Sequence, residues 1–166
     1  MESNDLTVVI VTYRSENKIF SCLNSIPSEI NIIVVENSNN QEFKKLIESK
    51  YSNVKCILAK ENLGYARGNN VGLNKVKTKY ALVLNPDARL EKNCVNCFLN
   101  TANKFQDFWL IGPANNQSDL DVNSEEFEVD NLKGFAIFFN IQKFNNNFFD
   151  ENFFLYFEEI DLCRQV

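Results

Sequence analysis

The stretch TVVIVTYRSENKIFSCLNSIPSEINIIVVEN, residues 7–37, decides the fold. Its opening, TVVIVTY (7–13), is a β-branched run short enough to be a buried strand. The period then changes: SENKIFSCLNSI places Ile19, Cys22, Leu23 and Ile26 at helical spacing behind Ser15, a residue type suited to capping a helix start. NIIVVEN (31–37) restores the buried-strand pattern. Strand, helix, strand, with an unbroken apolar run at the centre of each strand, indicates a parallel sheet covered by helices.

The alternation continues outward from this unit. QEFKKLIESK (41–50) reads as a short amphipathic helix with Phe43, Leu46 and Ile47 inward, and VKCILAK (54–60) as a third strand. ENLGYARGNNVGLNKVKT (61–78) begins with turn residues and carries a helical face of Ala66, Asn70, Leu73 and Val76, before YALVLN (80–85) forms a fourth strand. After the turn NPDA comes a helix over roughly 92–105, with Val95, Phe98, Leu99 and Ala102 as its core face, then WLIGP as another strand. NNQSDLDVNSEEFEVDN (115–131) is an acidic loop with an edge strand, LKGFAIFFN (132–140) a strongly apolar strand, and the aromatic-rich end runs into a short helix. With 166 residues, 45% of them hydrophobic, the chain can bury one sizeable core. It shows no repeat, no low-complexity linker and no domain boundary.

Composition removes several function classes. The formal charge is −5 and no basic cluster occurs, whereas neutralising a phosphate backbone needs clustered Lys and Arg. Nucleic acid is therefore not an expected partner. No apolar stretch approaches the roughly 20 residues that span a bilayer, and the start, MESNDLTVVIV, lacks a basic n-region and a cleavage site. A cytoplasmic location is expected. The five cysteines are odd in number and scattered: Cys22, Cys94, Cys97 and Cys163 in helical segments, Cys56 in a strand. That distribution is no disulfide framework. CVNC (94–97) lacks the second ligand pair a zinc site requires, and reads as two half-buried thiols on one helix face. The chain contains no histidine, so acid/base chemistry falls to carboxylates, Lys, Tyr or Cys.

The polar residues gather where strands stop. Thr12, Tyr13 and Arg14 end the first strand, Glu36, Asn37 and Ser38 the second, and Asn85 and Asp87 the fourth; the loop after the third supplies Asn62 and Gly64. In an open parallel sheet these ends share one edge, where ligands bind at a switch in strand order. Two carboxylates, an arginine and several amides suit a ribose, a diphosphate and a divalent cation. Each residue alone has a plainer reading, since Asn-Pro-Asp is a common turn and polar residues end strands everywhere. The glycine spacing of a dinucleotide site or a P-loop is absent.

Taken in order, IVTYRSENKIFSCLNSI, IIVVENSN, ENLGYARGNNVGL, YALVLNPDARL, LKGFAIFF and FFDENFFLYFEEIDLCRQV resemble the family 2 inverting glycosyltransferases, in particular their bacterial rhamnosyltransferase-like branch. The resemblance implies an α/β GT-A type fold, with a mostly parallel central sheet flanked by helices. It implies one domain over 1–166: a nucleotide-binding half over 1–90 and a sugar and acceptor half over 91–166, shorter than the family's usual reach. It further implies a dTDP- or UDP-sugar donor, a Mg²⁺ or Mn²⁺ ion, and a glycan or lipid-linked acceptor in cell-surface polysaccharide assembly, at the inner membrane face where the acceptor is lipid-linked.

Residue by residue, the resemblance sets Thr12, Tyr13 and Arg14 against the nucleotide and Glu36, with Asn37 after it, where the family usually has an aspartate facing base or ribose. Asn62, Gly64 and Asn69 line the nucleotide and diphosphate loop, with Arg67 as a phosphate contact. LNPD matches the family's DxD-type motif, making Asp87 the metal ligand and Asn85 the replacement for its first aspartate. The Glu158-Glu159 pair stands where the family has Glu-Asp, so Glu159 takes the position of the catalytic base, Glu158 accompanies it, and Gly134 lies near the donor sugar. An acidic helix start favoured by the helix dipole is the plainer account of that pair. A nucleotide-sugar-binding module without turnover and a nucleotidyltransferase are the competing classes, though TYRSENK lacks the glycine-rich basic loop of the latter.

Overall fold

The computed structural model describes residues 5–114 and 126–166. Most of the acidic stretch 115–131, with the edge strand expected in it, lies outside the described residues. The chain runs β1 (Leu6–Thr12), α1 (Glu16–Ser25), β2 (Asn31–Glu36), α2 (Gln41–Lys50), β3 (Val54–Leu58), α3 (Gly64–Leu73), β4 (Tyr80–Leu84), α4 (Cys94–Lys104), β5 (Leu110–Ile111), β6 (Ala136–Asn140) and α5 (Glu158–Gln165), with a 3₁₀ turn at Ile141–Lys143.

Six strands form one sheet in the order β3-β2-β1-β4-β6-β5. The first four strands are parallel, and β6 runs antiparallel to β4 with Leu84 opposite Ala136. From β1 the chain steps outward through β2 and β3, then crosses back to lay β4 on the other side of β1. That reversal opens a crevice beyond the carboxyl ends of β1 and β4, the position where open α/β sheets receive ligands.

Alternate side chains of each strand face opposite sides of the sheet and build two cores. On one side Val8, Ile10, Ile32, Val34, Leu82 and Phe138 meet Ile19, Leu23, Phe43, Ile47, Phe98 and Leu99, which come from α1, α2 and α4. On the other, Val9, Val35, Val83 and Phe139 meet Ala66 and Leu73 of α3, Leu162 of α5, and Phe148 and Phe149. Helix α3 lies close on the sheet because Gly68 and Gly72 present no side chain to it: a Cβ on Gly68 would stand 2.8 Å from Val11 Cγ1, and one on Gly72 would overlap Val9.

Several expectations change in detail. Leu46 is 50% exposed, because α2 covers the edge strand β3 with the narrower stripe of Phe43 and Ile47. Cys97 is exposed rather than half-buried, one turn from the partly buried Cys94. WLIGP contributes only Leu110–Ile111 to the sheet, and LKGFAIFFN only Ala136–Asn140. Ser15 precedes α1 but does not cap it with its side chain; its hydroxyl donates to the Tyr13 carbonyl at 3.1 Å.

Candidate active site

The β4 end is a turn built by its own sequence. Pro86 fixes its φ and ends the strand, and the Ala88 N–H returns to the Asn85 carbonyl at 3.0 Å. Asp87 therefore sits at the third position of a β-turn, its side chain 55% exposed. The Asn85 N–H donates to the Phe135 carbonyl at 2.9 Å, which ties the turn to the residues entering β6. Below it, burial and then the charge of Asp87 push the Cys22 thiol up to about 12, so Cys22 is an inert core residue. Lys18, on α1, brings its ammonium to 3.6 Å from Asp87.

Across the crevice, the β1 end divides its residues. Thr12 is buried and its carbonyl accepts the Asn37 N–H at 2.8 Å, whereas Tyr13 and Arg14 are exposed, Arg14 at φ 52° with its guanidinium 5.3 Å from the Tyr13 ring. A positive φ is unusual for such a residue and aims it away from the strand line.

The β2 end is organised inward. Glu36 is 1% exposed, and its carboxylate accepts from the Ser38 N–H at 3.0 Å, the Ser38 hydroxyl, and the Asn40 N–H at 2.6 Å. Both oxygens thus hold the loop that leads into α2, whose first turn is capped by Asn40 accepting from Phe43 N–H at 2.9 Å. Asn37, also buried, donates to the Gly64 carbonyl at 3.0 Å and so braces β2 against α3. Asn62 accepts the Gly64 N–H at 3.0 Å, closing the turn in which Gly64 adopts φ 71°. Asn69 is buried and donates to the Tyr65 carbonyl at 3.0 Å. Arg67 is exposed and points to Glu151 at 3.7 Å.

The acidic pair lies on the far side of β4. Helix α5 starts with Glu158, Glu159 and Asp161 in its first turn. Glu158 is 4% exposed with Oε2 lacking a partner, and burial followed by the charge of Glu159 holds its carboxyl above the ordinary value against a stabilising backbone bond. Glu159 is half-buried beside Gly134: a Cβ there would lie 3.7 Å from Glu159 Cβ and 3.8 Å from its carboxyl carbon. Asp161 accepts from the Gln165 amide at 2.5 Å, one turn along the helix. The structure thus gathers Glu158, Glu159 and Gly134 in one place, and Asp87 and Asn85 in another joined to it through the Asn85–Phe135 bond. Thr12, Glu36, Asn37 and Asn69 are buried, with Thr12 Oγ1, Asn37 Oδ1 and Asn69 Oδ1 lacking partners, whereas Tyr13, Arg14, Asn62 and Arg67 are exposed. Two residues that sequence reasoning passed over also belong here: Lys18 at Asp87, and Tyr65, whose hydroxyl donates to the Gly134 carbonyl.

The sequence matches the glycosyl transferase family 2 profile over residues 7–163. The chain belongs to glycosyl transferase family 2. This family 2 domain is 26% identical, over 98% of its length, to the low-salt glycan biosynthesis hexosyltransferase Agl10 of Haloferax volcanii, of which it spans 62%. Its fold is similar to S. aureus TarS 1–349 in complex with UDP, with a TM-score of 0.71 at 19% identity, covering 96% of this chain and 54% of that one. It is also similar to the mannosyltransferase PcManGT of Pyrobaculum calidifontis in complex with GDP-Man and Mn²⁺, with a TM-score of 0.68 at 15% identity, covering 89% and 48%. At such identities the likeness shows the fold, a mixed six-stranded sheet flanked by helices in the GT-A arrangement.

Among the described residues, no group of three or more His, Cys, Asp or Glu converges on one point. Asp87, with Asn85 beside it, offers one carboxylate at the β4 end. Mg²⁺ commonly binds through one or two carboxylates together with substrate phosphates, so this donor set fits an ion shared with a diphosphate. Among the described residues, no helix is long and apolar enough to cross a membrane.

Proposed function

We propose that this chain transfers a hexose, rhamnose or a similar sugar, from a UDP or dTDP donor to an acceptor hydroxyl with inversion, in glycan or teichoic-acid-type polymer assembly. One observation carries the reading: Asp87 stands at the strand-order switch, and Glu159 beside Gly134 is linked to that turn through the Asn85 N–H bond to Phe135. The relatives' names support it, since one is a hexosyltransferase and the structural neighbours hold UDP or GDP-Man.

In this mechanism the donor lies across the β1 and β4 ends, with Tyr13 and Arg14 toward the nucleotide and Asn62 and Arg67 toward the diphosphate. Glu36, Asn37 and Asn69 act indirectly, by holding the loops that carry those groups. Asp87 would hold Mg²⁺ or Mn²⁺, which when bound supplies positive charge to the departing diphosphate without a proton. Glu159 accepts the acceptor's hydroxyl proton as that oxygen forms its bond to the anomeric carbon. The bond from that carbon to the diphosphate breaks, and its electron pair leaves with the diphosphate. In-line attack on the face opposite the leaving group inverts the anomeric centre. A lipid-linked acceptor would bring the chain to a membrane face. Glu159→Gln tests the assignment: donor affinity within about twofold of wild type, with transfer lowered at least about 100-fold. Wild-type turnover in that variant would move the base elsewhere. Donor binding without transfer or hydrolysis in the wild type would leave a nucleotide-sugar-binding module.

A further inference from the structure

The geometry points to Tyr65 as a positioning residue that locks the acidic pair of α5 in register with the donor loop, an inference that rests on the transferase reading above. Tyr65 opens α3 directly after Gly64 and makes three ties to distant segments. Its N–H donates to the Phe154 carbonyl at 2.8 Å, its hydroxyl donates to the Gly134 carbonyl, and its ring meets Phe149 edge-on at 5.6 Å. A fourth bond returns to its own helix, where Asn69 donates to the Tyr65 carbonyl at 3.0 Å. One residue, through its backbone N–H and its side chain, therefore joins the donor loop at Asn62–Gly64, the glycine beside Glu159, and the segment that delivers Glu158 and Glu159.

That segment needs holding. Tyr156 and Phe157, the two residues before the pair, adopt φ 72° and 71°, a conformation bulky side chains rarely enter, and both are mostly exposed. Backbone of this kind persists where surrounding contacts over-determine it. The nearest such contact upstream is Phe154 on Tyr65, and it is tight: a Cβ on Gly64 would overlap the same Phe154 carbonyl. The phenol is suited to donate throughout the neutral range, because burial and then the charges of Glu158 and Glu159 raise it well above its ordinary value. Gly134 has no side chain to intervene, so the Tyr65 hydroxyl and Glu159 both stand against the space its Cβ would fill.

Tyr65→Phe removes only the hydroxyl bond, keeping the ring contact and the backbone bond to Phe154. The expected result is an unchanged melting temperature within a few degrees, donor KM within about twofold, and kcat lowered at least about 10-fold, since small displacement of a reacting group costs up to about 100-fold. An unchanged kcat beside an active wild type overturns the positioning role while leaving the transferase reading intact. A parallel rise in donor KM with no loss of kcat would instead make Tyr65 a donor contact. Absence of transfer in the wild type overturns both readings together. A decisive companion is Tyr65→Leu: if it folds and behaves like Tyr65→Phe, the hydroxyl alone sets the register, and if it retains wild-type kcat the inference fails.

Discussion

Lys18 Nζ lies 3.6 Å from Asp87 Oδ2, so α1 places an ammonium on the one carboxylate that ends β4. Both side chains are more than half exposed, and an exposed pair of this kind contributes little to stability. Lys18→Ala should leave the unfolding free energy within about 0.5 kcal/mol of wild type. Asp87→Ala should be equally harmless to folding yet abolish Mn²⁺-dependent binding of a nucleotide sugar. Titration of that variant with and without Mn²⁺ decides the matter, and retained Mn²⁺ dependence refutes Asp87 as the ligand.

Glu36 makes a different prediction, because its carboxylate serves its own loop. Replacing it with Gln puts an amide donor where Ser38 and Asn40 already donate, in a buried position. Loss of one charged acceptor and the clash of two donors should cost about 2 kcal/mol in urea unfolding. Donor affinity should fall only as far as the loop loosens. A variant of wild-type stability that loses donor binding would make Glu36 a direct nucleotide contact.

Glu158 gives the fold a pH dependence whose sign follows from its raised carboxyl. Between the ordinary value of 4.5 and the higher folded value, the folded state holds a proton that the unfolded chain has lost, so stability falls as pH rises through that window. Glu158→Gln removes this loss. Unfolding measured at about pH 4 and about pH 7 should show the variant gaining on wild type at the higher pH. A gain at the lower pH instead would mean that the carboxylate is stabilised by the fold.

Much of the architecture could be read from the sequence because both faces of the sheet are covered. TVVIVTY, NIIVVEN and YALVLN carry the unbroken apolar runs Val8–Val11, Ile32–Val35 and Ala81–Leu84, as a sheet between helix layers requires, and the stripes of α1 and α4 face the core as their spacing implies, while on α3 Ala66 and Leu73 do so and Val76 lies past the helix end. The exceptions occur where burial is one-sided or pairing is brief: Leu46 over the edge strand, and WLIGP, whose sheet contact ends after Leu110–Ile111. The site was less legible. Pattern located the strand ends, but it could not show which of their polar residues are buried, as Glu36, Asn37 and Asn69 are, and which stay exposed, as Tyr13 and Arg14 do. Nor could it reveal Tyr65 or Lys18, because their significance lies in long-range contacts to Gly134, Phe154 and Asp87.

Donor binding tests the central claim most directly. Isothermal titration of the wild-type chain with UDP- and dTDP-sugars, with and without Mn²⁺, should show binding that requires the ion, and the ion alone should bind far more weakly, because an ion held by the single carboxylate of Asp87 would draw its other ligands from the diphosphate. Failure to bind any nucleotide sugar, with Mn²⁺ present, would contradict the account.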